Sequence, residues 1–374
     1  NAALLHARVQ DDAHPCGHFG VIAIPVALAC AQRARARASG ADLLAALLAG
    51  YEVALCIGRD HASDLSARGF RTTPVYGGFA AAACAARIAR LDAETSARAL
   101  ALAANTASGL RAWTDAGSSE GALQVAFAAR NGLACANLAA AGVTAAASTL
   151  EGAAGFYRAF GGSRAGYGER VCVDLDREFE MAAVTYKAYP ISQFLQNVVR
   201  GVLALRARAG TRSATAIKIA FHPFEADFIG MRATAPFASD KQALTSAPFC
   251  AARAWLAGDV TLAGLRDFGD PQVAALARKV EVVADASRAR YTPRCEVTLD
   301  TGELLAWDAA TTPVDDILTW DVACTMHARL CREMSVAPEL AQALLDAVAN
   351  IECAPDAQAL VAAAAACAAA ARAR

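Results

Sequence analysis

Apolar positions recur at helical spacing through most of the first half of the chain. Leu44, Leu47, Leu48, Tyr51 and Leu55 share one face across residues 41–58. A run of small residues over 79–90 follows Gly77-Gly78 and predicts a second helix opened by that pair. Asp92 stands where it can cap a helix running to residue 107, with Glu94 in its first turn. Residues 121–141 predict another helix, stopped by Gly142. Alternating strand patterns are almost absent here. So much Ala and Gly on helix faces implies helices in close contact, with few large side chains between them.

The texture changes after Pro190. Residues 191–208 read as an amphipathic helix, and residues 216–221 alternate as a half-buried strand. Residues 241–256 and 270–279 are expected to be helical, and 280–284 and 295–299 to be strands. Asp300-Thr301-Gly302-Glu303 makes a hairpin turn into a further strand over 304–307. From residue 315 the pattern is helical to an Ala-rich tail whose last residues are expected to fray. The fold class expected is mainly α. A large all-helical domain built from both chain ends, residues 1–190 and 315–374, holds a smaller α+β domain over 191–314.

Composition narrows the function classes. A chain of 374 residues can form two substantial cores. A formal net charge of −1 gives no electrostatic support for binding nucleic acid or an anionic membrane. The longest apolar runs, 19–31 and 359–371, fall short of the roughly 17–25 residues of a membrane-spanning helix. The 12 cysteines are scattered without a CxxC pair, and Cys30, Cys56, Cys84 and Cys135 sit in apolar helical contexts. They read as free thiols in a reducing, cytoplasmic setting. Asn1 opens in what reads as mid-element, so an N-terminal segment is expected to precede it.

Candidate chemistry concentrates in Gln10-Asp11-Asp12-Ala13-His14-Pro15-Cys16-Gly17-His18-Phe19-Gly20. Two carboxylates and two imidazoles fall within eight residues, and His6, His14 and His18 are half of the chain's 6 histidines. Metal binding, acid–base chemistry and a solvated turn are the three readings. His14 and His18 would share a helix face as metal ligands do, but Pro15 and Gly17 oppose a helix, and no third ligand stands at motif spacing. Acid–base use is favoured, because imidazole titrates near neutrality and paired carboxylates push each other's pKa values apart.

Three other stretches carry weaker signals. The run Arg68-Gly69-Phe70-Arg71-Thr72-Thr73-Pro74 precedes a helix and reads either as a carboxylate site or as a loop with an N-cap. The pair Ala107-Ser108-Gly109-Leu110 and Gly117-Ser118-Ser119-Glu120-Gly121 forms glycine-rich loops entering a helix that carries Gln124 in its first turn. Lys187-Ala188-Tyr189-Pro190, at the junction of the two textures, reads as a hinge or as a group projecting into an interdomain cleft.

In their order, these pieces resemble the MmgE/PrpD family, which includes 2-methylcitrate dehydratase, cis-aconitate decarboxylase and iminodisuccinate epimerase. The matching residues begin with Asn1, His6, Asp11-Asp12 and His18-x-Gly20 before Pro25. They continue through Gly50-Tyr51-Glu52-Val53, Gly69-Phe70-Arg71-Thr72-Thr73 and Gly77-x-Phe79-Ala80. Ala107-Ser108-Gly109-Leu110, Ala128-Ala129-x-x-Gly132, Leu150-Glu151-Gly152 with Gly155-Phe156, and Lys187-x-Tyr189-Pro190 complete the set.

The resemblance implies a helical domain with a smaller α+β lid, a homodimer, and a pocket between domains that uses no metal or organic cofactor. It also implies small di- or tricarboxylate substrates and proton abstraction α to a carboxylate. Loss of water, as in 2-methylcitrate dehydratase, is the favoured course. Epimerisation by the same abstraction and non-catalytic carboxylate binding are the alternatives. Carried over residue by residue, it makes His18 the general acid or base and Lys187 the partner of a substrate carboxylate. Asp12 and Asp11 orient imidazole or act as second acid–base partner, and His14 or His18 protonates a leaving hydroxyl. Thr72, Thr73, Gln124, Ser192 and Phe249 would line the substrate. Several positions depart from the family pattern. Val9 replaces an acidic residue, Gln124 a His, Gly121-Ala122 a Lys or Arg, Ser192 a His or Cys, and Phe249 a pocket aromatic that is often Tyr. Gln124 cannot titrate and can only hydrogen-bond.

Overall fold

The helix Thr72–Ile88 forms the axis of the first half, and every residue in it from Thr73 to Ala86 is buried. The protein is described by a computed structural model over residues 1–33, 38–161, 166–175, 177–312 and 318–372. Around the axis pack the helices Gly20–Arg33, Gly40–Gly58, Ala93–Ala104 and Glu120–Ala140. Small residues allow this. A Cβ on Gly132 would lie 2.2 Å from the Gly78 carbonyl oxygen, and one on Gly50 would lie 2.3 Å from Cys84 Sγ. Gly77-Gly78 thus sits inside the axial helix rather than opening it; the helix starts after Arg71, whose backbone is extended. Asp92 does cap its helix, accepting from the Thr95 amide at 2.7 Å.

The helix Gly40–Gly58, unlike the two longest apolar runs, is long and apolar enough, by length and composition, to cross a membrane. Half of that stretch is buried inside the protein, where it packs on the axial helix. All 12 cysteines are free.

A second core lies beyond residue 190, built on residues such as Leu195, Val202, Ile219 and Val297. Its sheet has the order β4-β3-β5-β6, with β3 Ala214–Phe221, β4 Val280–Ala284, β5 Arg294–Leu299 and β6 Leu304–Asp308. β3 pairs with β4 in parallel and with β5 antiparallel, in the register Ile217↔Val280 and Ile217↔Val297. The helix Gln196–Ala209 packs against β5 and β6. Residues 241–256, expected as one helix, are two, Asp240–Ala243 and Ala247–Ala257. Ser246 separates them and caps the second by accepting from the Phe249 amide at 3.0 Å.

The C-terminal segment returns to the first half. Ile351 and Ala357 pack with Ala27, Ala31 and Leu43, and the Gly40 amide donates to the Ala354 carbonyl at 2.9 Å. The expected boundary between residues 314 and 315 lies outside the described residues.

Candidate active site

A two-stranded ribbon assembles the site. β1, Asp12–Ala13, pairs antiparallel with β2, Thr185–Tyr186, so that Asp12 faces Tyr186 and Asp11 comes beside Lys187. After β1 the chain turns tightly, with reciprocal hydrogen bonds between His14 and Gly17 at 3.0 and 2.9 Å. Gly17 has φ +141°, and a Cβ there would lie 2.9 Å from Thr73 Cα, so glycine alone fits. Neither His14 nor His18 is helical.

Asp12 closes this turn onto the next helix. Its carboxylate accepts from the Phe19 amide at 2.8 Å and the Gly20 amide at 2.9 Å, capping Gly20–Arg33 from outside the helix, and Tyr51 also hydrogen-bonds it. Burial, then the neighbouring Asp11 charge, pushes the Asp12 carboxyl up to about 6.

Asp11 is the hub of the charged groups. Its carboxylate accepts from Lys187 Nζ at 2.7 Å and from His6 Nδ1 at 2.8 Å, and stands 3.6 Å from His18 Nδ1. Burial alone would raise this carboxyl, but Lys187, His18 and His6 more than offset it and hold it far below the carboxylate range. Lys187, itself buried, gives a second hydrogen bond to the Val9 carbonyl at 3.1 Å. An ammonium has three donors, so one is left for the cavity that Lys187 lines. Val9 holds φ 60°, a strained conformation for a β-branched residue, and the strain sits at the charged cluster.

The imidazoles are neutral, with assignable tautomers. His18 Nδ1 donates to the Asp12 carbonyl at 2.6 Å, which leaves Nε2 with a free lone pair. Burial, then Lys187, lowers His18 to about 3. His14 Nδ1 accepts from the Cys16 amide at 3.2 Å, so its proton resides on Nε2. His6 Nε2 accepts from Arg71, and burial, then Arg71, lowers His6 to about 4.

These groups face a cavity of about 230 Å³. Its walls come from both cores: His18 and Arg71 on one side, Phe224 and Tyr291 on the other. Lys187, Lys241, Arg71, Arg111 and Arg290 line it, and among the described lining residues none is a carboxylate. Its charged lining is therefore cationic, which favours anions by charge. Among the described residues no cluster of three or more His, Cys, Asp or Glu could hold a metal.

Residues 1–166 match the MmgE/PrpD N-terminal domain and residues 189–317 the MmgE/PrpD C-terminal domain. The chain belongs to the MmgE/PrpD family. A stretch of 141 residues is 33% identical to the cis-aconitate decarboxylase-like protein oryM of Aspergillus oryzae. That match covers 36% of this chain and 29% of the relative, so it spans under a third of that protein's length.

With the MmgE/PrpD family established, the expected site residues can be placed. His14, His18, Lys187, Thr72, Thr73 and Ser192 line the cavity. Thr73 Oγ1 accepts from the His18 amide at 3.3 Å, which ties the turn to the axial helix. The other four stand outside the lining. Asp11, behind Lys187, hydrogen-bonds the His6 imidazole, and the Asp12 carboxylate accepts from helix amides while its main-chain carbonyl orients His18. Gln124 lies behind the wall, donating to the Leu110 carbonyl at 2.9 Å and accepting from Arg71 at 3.2 Å. Phe249 is fully buried in the second core against Phe237.

Sequence reasoning gave no role to Arg111, Lys241 and Arg290. Arg111 directly follows the Ala107–Leu110 motif, a signal that was available. Lys241 opens a stretch read only as helix, and Arg290 lies in a stretch with no pattern of its own.

Proposed function

We propose that this MmgE/PrpD protein is a cytoplasmic carboxylate lyase, a hydro-lyase acting on a small di- or tricarboxylate in the cleft between the helical and sheet cores. The single observation carrying this reading is that His18 brings an Nε2 with no partner among the described residues to a cavity whose charged lining is cationic. His18 Nε2 takes the proton α to a substrate carboxylate. The negative charge that develops is stabilised by the remaining Lys187 donor. As the C–H pair forms the new double bond, the C–O bond breaks. The departing hydroxyl takes the proton from the His18 imidazolium, with a hydrogen bond from His14 Nε2–H assisting, and leaves as water. An anionic substrate also raises the pKa of the neutral His18, which makes it a better base in the complex than in the free enzyme. No organic cofactor or metal is needed in this scheme.

A second reading is decarboxylation, favoured by the similarity to the cis-aconitate decarboxylase-like protein oryM. Here the bond to the carboxylate carbon breaks and the proton returns to carbon. Incubation with a panel of di- and tricarboxylates in D₂O distinguishes the courses. Release of water with an unsaturated product is expected, release of carbon dioxide supports the second reading, and deuterium uptake alone assigns an epimerase. No turnover and no exchange with any member would overturn the lyase proposal.

We also propose a homodimer. Leu123, Phe127 and Leu138 recur on one face of the helix Glu120–Ala140 and are 48%, 46% and 47% exposed, an apolar face that a second copy would cover.

A further inference from the structure

Arg71 and Arg111 flank an isolated bridge between Phe70 and Leu110. The Arg71 amide donates to the Gly109 carbonyl at 3.0 Å and the Arg111 amide to the Gly69 carbonyl at 3.1 Å. Two loops from different parts of the chain thus deliver two guanidinium groups to one cavity wall.

Their surroundings differ. Arg71 is committed to the Gly121 carbonyl, Gln124 Oε1 and His6 Nε2. Arg290 meets the Glu225 carboxylate at 2.8 Å, Lys187 meets Asp11 at 2.7 Å, and Lys241 lies 3.5 Å from Asp240. Arg111 has no carboxylate partner among the described residues. One edge of its fork is held by the Ser66 carbonyl at 3.3 Å and the Ser66 hydroxyl at 3.0 Å. Its plane rests 4.5 Å from the centroid of the Phe228 ring. The guanidinium is therefore fixed and half-buried, and among the described residues it is unanswered in charge and keeps donors uncommitted. A partly desolvated cation without a counter-ion is costly unless a ligand supplies one. The Arg fork matches a carboxylate in two parallel hydrogen bonds.

We propose that Arg111 receives a second carboxylate of the substrate, remote from the carbon that His18 deprotonates. The assignment rests on the lyase reading, and it makes Arg111 the residue that selects di- and tricarboxylates over monocarboxylates. Ser66 belongs to the helical core's side and Phe228 to the sheet core's side, so both seat the guanidinium.

Equilibrium binding of citrate, succinate and butyrate to wild-type protein and to Arg111→Gln tests this without requiring turnover. Citrate and succinate are expected to weaken at least about tenfold in the variant, the loss of a charge-assisted hydrogen bond. Butyrate is expected to change less than succinate. Arg111→Lys keeps the charge without the fork and should fall between the two; it also serves if Arg111→Gln does not fold. Citrate affinity within twofold of wild type in a folded variant would overturn the role of Arg111 alone. If wild-type protein binds none of the three, the anion-receptor reading of the cavity fails, and this assignment with it.

Discussion

Asp11 and Lys187, 176 residues apart, meet at 2.7 Å with side chains 4% and 2% exposed. The pair is a product of the β1–β2 ribbon, which brings the start of the chain to the boundary between the cores. It fixes a cation at the cavity wall while keeping its counter-ion behind that wall.

The pair should therefore behave asymmetrically. Lys187→Met leaves the buried Asp11 carboxylate without its ammonium, facing the Arg71 charge and the imidazoles of His6 and His18, and should cost about 3–5 kcal/mol. Adding Asp11→Asn should recover part of that loss, since the uncompensated charge is removed. Urea midpoints of the two single variants and the double variant check this. A double variant no more stable than Lys187→Met would refute the coupling.

His18 and Asp12 should separate chemistry from structure. His18→Ala removes the proton acceptor and should lower turnover about 10²–10⁴-fold with the fold retained. Asp12→Asn weakens the cap over the Phe19 and Gly20 amides and should cost on the order of 1–2 kcal/mol. Its effect on kcat should be smaller than that of His18→Ala, because the main-chain carbonyl that orients His18 remains. Kinetics and thermal melts on both variants decide the matter, and equal kcat losses would contradict this division of roles.

Acid should destabilise the protein well before carboxylates are neutralised. Burial holds His6 and His61 at about 4 and His18 at about 3, against 6.5 in the unfolded chain. Between pH 6.5 and about 4 the unfolded state binds more protons at these sites, so stability falls as pH falls. Asp12 acts in the opposite sense: its folded value of about 6 lies above the unfolded carboxyl, so from about pH 4 to 6 it loses stability as pH rises. Three imidazoles outweigh one carboxyl, each worth roughly 1.4 kcal/mol per unit of pKa difference. The urea midpoint at pH 5 should lie below that at pH 7; an equal or higher midpoint would mean these histidines are not buried neutral.

Much of this was legible in sequence, for physical reasons. Helical period and caps located the helices around Leu44–Leu55 and after Asp92, because those signals are local. The importance of Gln10–Gly20 and Lys187 came from residue types and family resemblance. Which atoms face substrate was hidden. Asp12 reads as a catalytic carboxylate until the amides of Phe19 and Gly20 are seen to occupy it, and Gln124 reads as a ligand-binder until Arg71 and Leu110 claim it. These are contacts between distant segments, on which periodicity is silent. Arg111 was missed for the same reason: that it has no carboxylate partner among the described residues is visible only once its neighbours are in place.

The axial packing gives the last test, because two effects of one substitution oppose each other. Gly132 lies inside the helix Glu120–Ala140, where alanine would gain about 1 kcal/mol of helix propensity on an open face. Its Cβ, however, would stand 2.2 Å from the Gly78 carbonyl oxygen and 2.6 Å from Ala81 Cβ. The first of these is backbone of the axial helix and cannot swing aside, so the two helices would have to separate. Overpacking of this kind costs about 1–3 kcal/mol and should outweigh the propensity gain. Gly269→Ala, with nothing within 4 Å of its Cβ and no positive φ, is the matched control and should be neutral or slightly stabilising. A Gly132→Ala variant that melts at or above the control would mean that the crossing at Gly78 is looser than its 2.2 Å approach requires.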